Sequence, residues 1–196
     1  MQKRQLFDLI SRVSELTDIA EPIIVGSQSL FAITDSVPSI VSRSIEADFL
    51  LGPHGPEVMH KVGASLGMRS EFFDRQGYYA DPLGMATVVL VPGWQDRLQP
   101  LKDEAGQTVA HCLEIYDLAV SKLMAGRDKD MIFLCSLLDG RMMMMAPLMQ
   151  RTEMVKETAY EGALIPRLER FENHLRSQRH VNYNLQPLRE LLARLK

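Results

Sequence analysis

Strand-like and helix-like segments are segregated along this chain: every run that reads as a β-strand lies before residue 114, and the remainder is helical almost to its end. The strand signals are short β-branched or alternating runs shut off by Gly and Pro. They fall at 23–25 before Gly26-Ser27, at 42–51 before Gly52-Pro53-His54-Gly55-Pro56, at 87–91 before Pro92-Gly93, and at 108–113 after a turn near 103–107. Ahead of them, Leu6, Leu9, Ile10, Val13 and Leu16 recur at helical spacing and predict an amphipathic helix over 2–18. A second helix is expected to start at 29–33 and a third to cover 57–66, with 70–79 in part extended. Later helices are expected at 115–125 and 128–138, with Asp128 as N-cap of the latter. Pro147, Pro166 and Pro187 punctuate three more. Strands first and helices afterwards predict an α+β fold: a small mixed β-sheet, helices packed on it, and a helical C-terminal part. A length of 196 residues suits one well-buried core. The expected organisation is a core at 1–140 and a helical extension at 141–196, forming a single structural domain.

Bulk properties remove several functional classes. The formal net charge of -3 gives no global positive field to draw the chain onto nucleic acid or an anionic membrane. The two cysteines, Cys112 and Cys135, sit inside apolar stretches, which predicts buried reduced thiols rather than a disulfide scaffold. Residues 1–12 are charged and amphipathic, unlike a secretory leader. No apolar run approaches the roughly 20 residues that span a bilayer. A soluble, cytoplasmic protein without membrane partners is expected. The five histidines show no metal-ligand spacing. The one locally basic stretch, 167–180, reads as a solvated helix face, with contact to an RNA acceptor or an acidic partner as the alternative.

The segment Ser42-Arg43-Ser44-Ile45-Glu46-Ala47-Asp48-Phe49-Leu50 carries the most chemistry. Side chains alternate across a strand, so Ile45, Ala47 and Phe49 share a core face while Ser44, Glu46 and Asp48 share the other. Two strand positions span about 6.6 Å. The carboxylates therefore project side by side within reach of one divalent cation, whose charge would relieve their repulsion. The alternative is an edge strand whose polar face is simply solvated. Upstream, a strand that ends in Gly26-Ser27 and feeds a helix can offer backbone N–H groups to a phosphate, with Gly26 permitting close approach and Ser27 adding a hydroxyl. Ser27 as an ordinary helix cap is the local alternative.

Gly26-Ser27 followed by Glu46-Ala47-Asp48 resembles the signature of the DNA-polymerase-β-like nucleotidyltransferase superfamily. Arg43 and Ser44 are similar to the residues that precede the acids in bacterial members of the abortive-infection toxin type. Pro92-Gly93-Trp94-Gln95-Asp96-Arg97-Leu98 and the stretch 112–130, including Ser121-Lys122-Leu123, resemble segments of a little-characterised bacterial branch. The resemblance covers about 23–138. It implies transfer of a nucleoside monophosphate from a metal-bound nucleoside triphosphate to an acceptor hydroxyl on a protein, RNA or small molecule. Gly26, Ser27, Arg43 and Ser44 would hold the nucleotide, and Glu46 and Asp48 would bind Mg²⁺ or Mn²⁺ as the catalytic acids. It also implies a toxin-like setting with a cognate protein partner. Two features depart from the pattern. Glu46 stands where the family has Asp, and the expected strand 87–91 lacks a third acid, Asp81 being assigned to a loop beside Pro82.

On a helix over 114–125, Lys122 falls in an apolar arc opposite Glu114, Asp117 and Ser121. Such a lysine must snorkel, pair structurally, or meet an anion. The resemblance at Ser121-Lys122-Leu123 adds the bound triphosphate or the carboxylate pair as its target. Two functional readings follow. One is a metal-dependent nucleotidyltransferase; the other is a catalytically degenerate domain that binds nucleotide or a protein partner without turnover.

Overall fold

A computed structural model describes residues 1–178 and 181–196. It divides into two compact units, Met1–Val88 with Gln95–Glu114 and Val89–Trp94 with Ile115–Lys196. The first unit opens with α1 (Lys3–Thr17), β1 (Ile23–Ile24), a 3₁₀ helix at Ser27–Ala32, α2 (Ser39–Ser42) and β2 (Glu46–Leu50). It continues with α3 (Pro56–Leu66), α4 (Glu71–Gln76), β3 (Tyr79–Leu83), β4 (Gln99–Lys102) and β5 (Thr108–Cys112). Among the described residues these strands form one five-stranded sheet in the order β3-β2-β1-β5-β4. It is mixed: β1 runs antiparallel to β2 and parallel to β5, β2 runs parallel to β3, and β4 is antiparallel to β5. The architecture is α+β.

Helical spacing makes α1 work as a lid on this unit. Leu6, Leu9, Ile10 and Val13 are all buried, and the helix packs on α3 while touching β3 and β5. In turn α3 lies along β3. On β2 the alternation is clean from Glu46 onward: Ala47 and Phe49 are fully buried, and Glu46 and Asp48 are half-buried on the other face. Ile45 departs from its expected core position and is 49% exposed, because the strand begins one residue after it.

The second unit contains α5 (Ile115–Ala125), α6 (Asp128–Asp139), α7 (Met145–Glu153), α8 (Glu161–Ser177) and α9 (Gln186–Leu195). Helix α5 buries Leu118, Ala119, Val120, Leu123 and Met124, a nearly continuous apolar surface suited to a central helix. It packs on α6, α7 and α8, while α7 and α8 both meet α9. Arg170 pairs with Asp128 and Arg176 with Glu172, so these arginines of the basic stretch sit on a solvated, salt-bridged face. Arg179 and His180, counted in the same stretch, lie outside the described residues. Both cysteines are buried and reduced. No helix among the described residues is long and apolar enough to cross a membrane.

Several local expectations are corrected. The segment after Gly26 is a six-residue 3₁₀ helix rather than an α-helix. The stretch 70–79 contains α4, started by the Ser70 hydroxyl accepting from the Phe73 N–H and stopped by Gly77 at φ 73°. The strand expected at 87–91 is absent from the described sheet: Met85–Thr87 is a 3₁₀ turn, and Val88, Val89 and Val91 are buried without ladder partners there. The strand beside β2 is β3, which carries Asp81 in a strand rather than a loop. Pro82 had argued against that strand, but β3 is an edge, where a missing N–H is tolerated. Arg127, not Asp128, caps α6.

Candidate functional site

Strand register assembles a polar face from residues far apart in sequence. Glu46 pairs with Tyr79, Ala47 with Ala80, and Asp48 with Asp81 along the parallel β2–β3 ladder. Residues paired across a ladder share a face, so Glu46, Asp48, Tyr79 and Asp81 stand together while Ala47 and Ala80, both fully buried, point the other way. Neighbouring strands lie about 4.8 Å apart. Asp81 is therefore the lateral neighbour of Asp48, just as Glu46 is its neighbour along the strand.

The third side of this face is the turn after β1. The Val25 N–H donates to the Asp48 carbonyl at 3.0 Å, which brings the end of β1 against β2. A Cβ added at Gly26 would lie 1.6 Å from Asp48 Oδ2 and 2.5 Å from its Cγ. The Asp48 carboxylate thus occupies the space that any side chain at 26 would need. Gly26 has φ -97°, a conformation open to every residue, so the requirement for glycine here is close approach alone. Ser27, half-buried, follows by one peptide unit and opens the 3₁₀ helix. Its successor Gln28 is fully buried, with Nε2 donating to the Val41 carbonyl at 3.2 Å. Ser29 Oγ donates to the Ile24 carbonyl at 2.9 Å, tying the turn back to β1.

Tyr79 holds one of the acids. Its hydroxyl donates to Glu46 Oε2 at 2.7 Å, and its ring stands edge-on to Phe73 of α4, with centroids 5.3 Å apart. Burial pushes the phenol pKa well above its ordinary range, and the hydrogen bond to Glu46 pushes it further, followed by the negative charges of Glu46, Asp81 and Asp48. All three acids are therefore within electrostatic reach of a single hydroxyl, which stays protonated and a donor at any physiological pH.

The other sequence candidates have contacts of their own. Ser44 brackets the start of β2: its hydroxyl donates to the Glu46 carbonyl at 3.2 Å and accepts from the Glu46 N–H at 3.4 Å. Arg43 is exposed, with Nε donating to the Ser39 carbonyl at 3.3 Å. Lys122 belongs to the second unit, where its ammonium lies 3.8 Å from buried Asp130. Sequence reading missed Tyr79 and left Asp81 in a loop. The signal available for both was the alternation Tyr79-Ala80-Asp81, obscured by Pro82.

The donor set is hard carboxylate oxygen, suited to Mg²⁺ or Mn²⁺. Among the described residues no group of three or more His, Cys, Asp or Glu side chains could hold a metal ion by itself. Mg²⁺ is commonly held by one or two carboxylates and completed by substrate phosphates and water, so a pair of acids beside the Gly26 turn fits such an ion only together with a phosphorylated ligand. A cavity of about 840 Å³ elsewhere in this unit, lined by Lys3, Arg4, Phe7, Asp35 and the 102–105 turn, contains none of these residues.

Residues 4–138 match the model of a protein family described as nucleotidyltransferase of unknown function (DUF6036). No curated protein and no solved structure shows a significant match. The matched span takes in the glycine turn and all three acids, and it covers more than half of the 196 residues. The chain belongs to this nucleotidyltransferase family.

Proposed function

We propose that the protein is a metal-dependent nucleotidyltransferase that moves a nucleoside monophosphate from a nucleoside triphosphate to an acceptor hydroxyl. The observation that supports this reading best is the Asp48 carboxylate seated against Gly26 with Asp81 in register beside it. Glu46 and Asp48 would hold Mg²⁺ or Mn²⁺, which when bound supplies positive charge to the phosphates. Gly26 lets the Asp48 carboxylate sit against the turn, and Ser27 beside it would give the triphosphate a hydroxyl donor, with Arg43 and Ser44 at the entry to β2 as further contacts. Asp81 takes the proton from the acceptor hydroxyl as its oxygen bonds to the α-phosphorus, and the bond to the bridging oxygen breaks to release pyrophosphate. Glu46 and the missing third acid favoured reading the domain as non-catalytic, and Asp81 in register beside Asp48 is a candidate for that third acid.

The similarity of Arg43-Ser44 to abortive-infection members suggests a toxin-like half of a defence pair with a cognate protein partner. Two reduced, buried thiols suit a cytoplasmic setting. The acceptor and the base of the nucleotide are open to experiment. Purified protein with Mg²⁺ or Mn²⁺ and labelled nucleoside triphosphates is expected to label a component of cell extract or itself, and Glu46→Ala and Asp48→Ala to abolish the label. No label in any extract defeats the catalytic reading. Wild-type triphosphate affinity in both variants defeats nucleotide binding at this face as well.

A further inference from the structure

Glu46 poses a specific geometric problem. A glutamate carries one more rotatable bond than an aspartate at the same strand position, so its carboxylate ranges over more space unless something holds it. The structure supplies a holder. Tyr79 sits beside Glu46 in the β2–β3 register, and its hydroxyl donates to Oε2 at 2.7 Å. The ring cannot readily follow a moving partner: it is 8% exposed and packed edge-on, at 82°, against Phe73. Phe73 lies on α4, whose two ends are pinned by the Ser70 hydroxyl and Gly77. A continuous set of contacts thus runs from α4 through Phe73 and Tyr79 to one carboxylate oxygen.

We propose that Tyr79 is a positioning residue for a divalent cation, gripping Glu46 by Oε2 so that the longer acid serves where the family pattern has aspartate. The inference rests on the reading of Glu46 and Asp48 as cation ligands. It assigns to this chain a matched pair: the glutamate works because the tyrosine is there. Outer contacts that orient a metal ligand typically change metal affinity by about 10–100-fold when removed. Tyr79→Phe keeps the ring and its packing on Phe73 and deletes only the hydroxyl.

The test is titration of Mn²⁺ together with tripolyphosphate into the full chain, followed by calorimetry and by the Mn²⁺ electron paramagnetic resonance spectrum. Tyr79→Phe is expected to weaken Mn²⁺ binding at least about 10-fold with unchanged thermal unfolding, and to broaden the bound spectrum. In a Glu46→Asp background, where the shortened acid withdraws from the phenol, the same Tyr79→Phe change is expected to do nothing further. Unaltered Mn²⁺ affinity in Tyr79→Phe, alongside a loss in Asp48→Asn, overturns the positioning role and leaves the cation site standing. Equal weakening by Tyr79→Phe in both backgrounds overturns it too, since the phenol then acts through something other than Glu46. Undiminished binding in Asp48→Asn overturns both the role and the site.

Discussion

The acids of the two units are brought into place by different kinds of contact. In the helical unit each buried carboxylate is set against a cation: Asp117 meets Arg151 at 2.6 Å, and Asp130 meets Arg127 at 2.7 Å with Lys122 at 3.8 Å. Both aspartates are 2% exposed, and a charge that deep is stable only with such a partner. In the sheet unit, Glu46, Asp48 and Asp81 are brought beside one another by strand pairing, against a phenol and a glycine. Like charges brought close repel one another, and here it is the strand ladder, not a helix contact, that sets Asp48 and Asp81 side by side. The difference is between acids buried singly in a helical core and acids gathered on one half-buried face of a sheet.

The sharpest way to break this comparison is to remove one acid from each unit. Asp117→Ala leaves the Arg151 charge without its buried partner and is expected to lower unfolding stability in urea by about 3–5 kcal/mol. Asp48→Asn, at a half-buried position, is expected to cost less stability than Asp117→Ala while Mn²⁺-supported triphosphate binding disappears. Equal loss of stability in the two variants would mean that the sheet acids are structural after all. Within the sheet unit, Asp81→Asn is expected to slow nucleotidyl transfer about 10²–10⁴-fold while triphosphate affinity changes little, as loss of a general base does. Single-turnover kinetics read the first quantity and equilibrium binding the second. Loss of binding and rate together would make Asp81 a ligand instead.

Smaller effects test the steric side. Gly26→Ala must displace the Asp48 carboxylate, with an expected destabilisation of about 1–3 kcal/mol and loss of metal-dependent binding. Gly162 in α8 has open space around it, and Gly162→Ala is expected to be neutral or stabilising by up to about 1 kcal/mol. Denaturant midpoints of the two variants distinguish them directly. The smallest effect expected is a pH dependence on the helical side. The hydrogen bond from Arg189, helped by Arg176, holds the Glu172 carboxyl below its ordinary value. Its contribution is therefore present above the unfolded glutamate pKa of about 4.3 and is lost as pH falls through the lower folded value. Glu172→Gln should be slightly less stable than wild type at neutral pH, with the gap closing as the solution is acidified.

The sheet acids differ in how visible they were. Glu46 and Asp48 lie two residues apart on one strand, so local alternation announced them. Gly26 was legible as a turn, but its reason for being glycine was not, because the atom that excludes a side chain belongs to a residue 22 positions later. Asp81 and Tyr79 were hidden by Pro82, whose meaning depends on whether a strand is central or at an edge. On the helical side, the spacing around Lys122 showed an apolar arc and an unsatisfied ammonium, yet only packing selected Asp130 as its partner.

From the sequence alone came the α+β segregation, α1 and its buried stripe, the paired acids of β2 and the family resemblance, all of them periodic or contiguous signals that a short window contains. Tertiary structure alone decided that Asp81 stands beside Asp48, that Tyr79 grips Glu46, and that Asp48 fills the space over Gly26. The reason is that parallel strands joined through α3 and α4 take their register from the packing of those helices and of β1. That register is a property of the closed fold, and no local spacing encodes it.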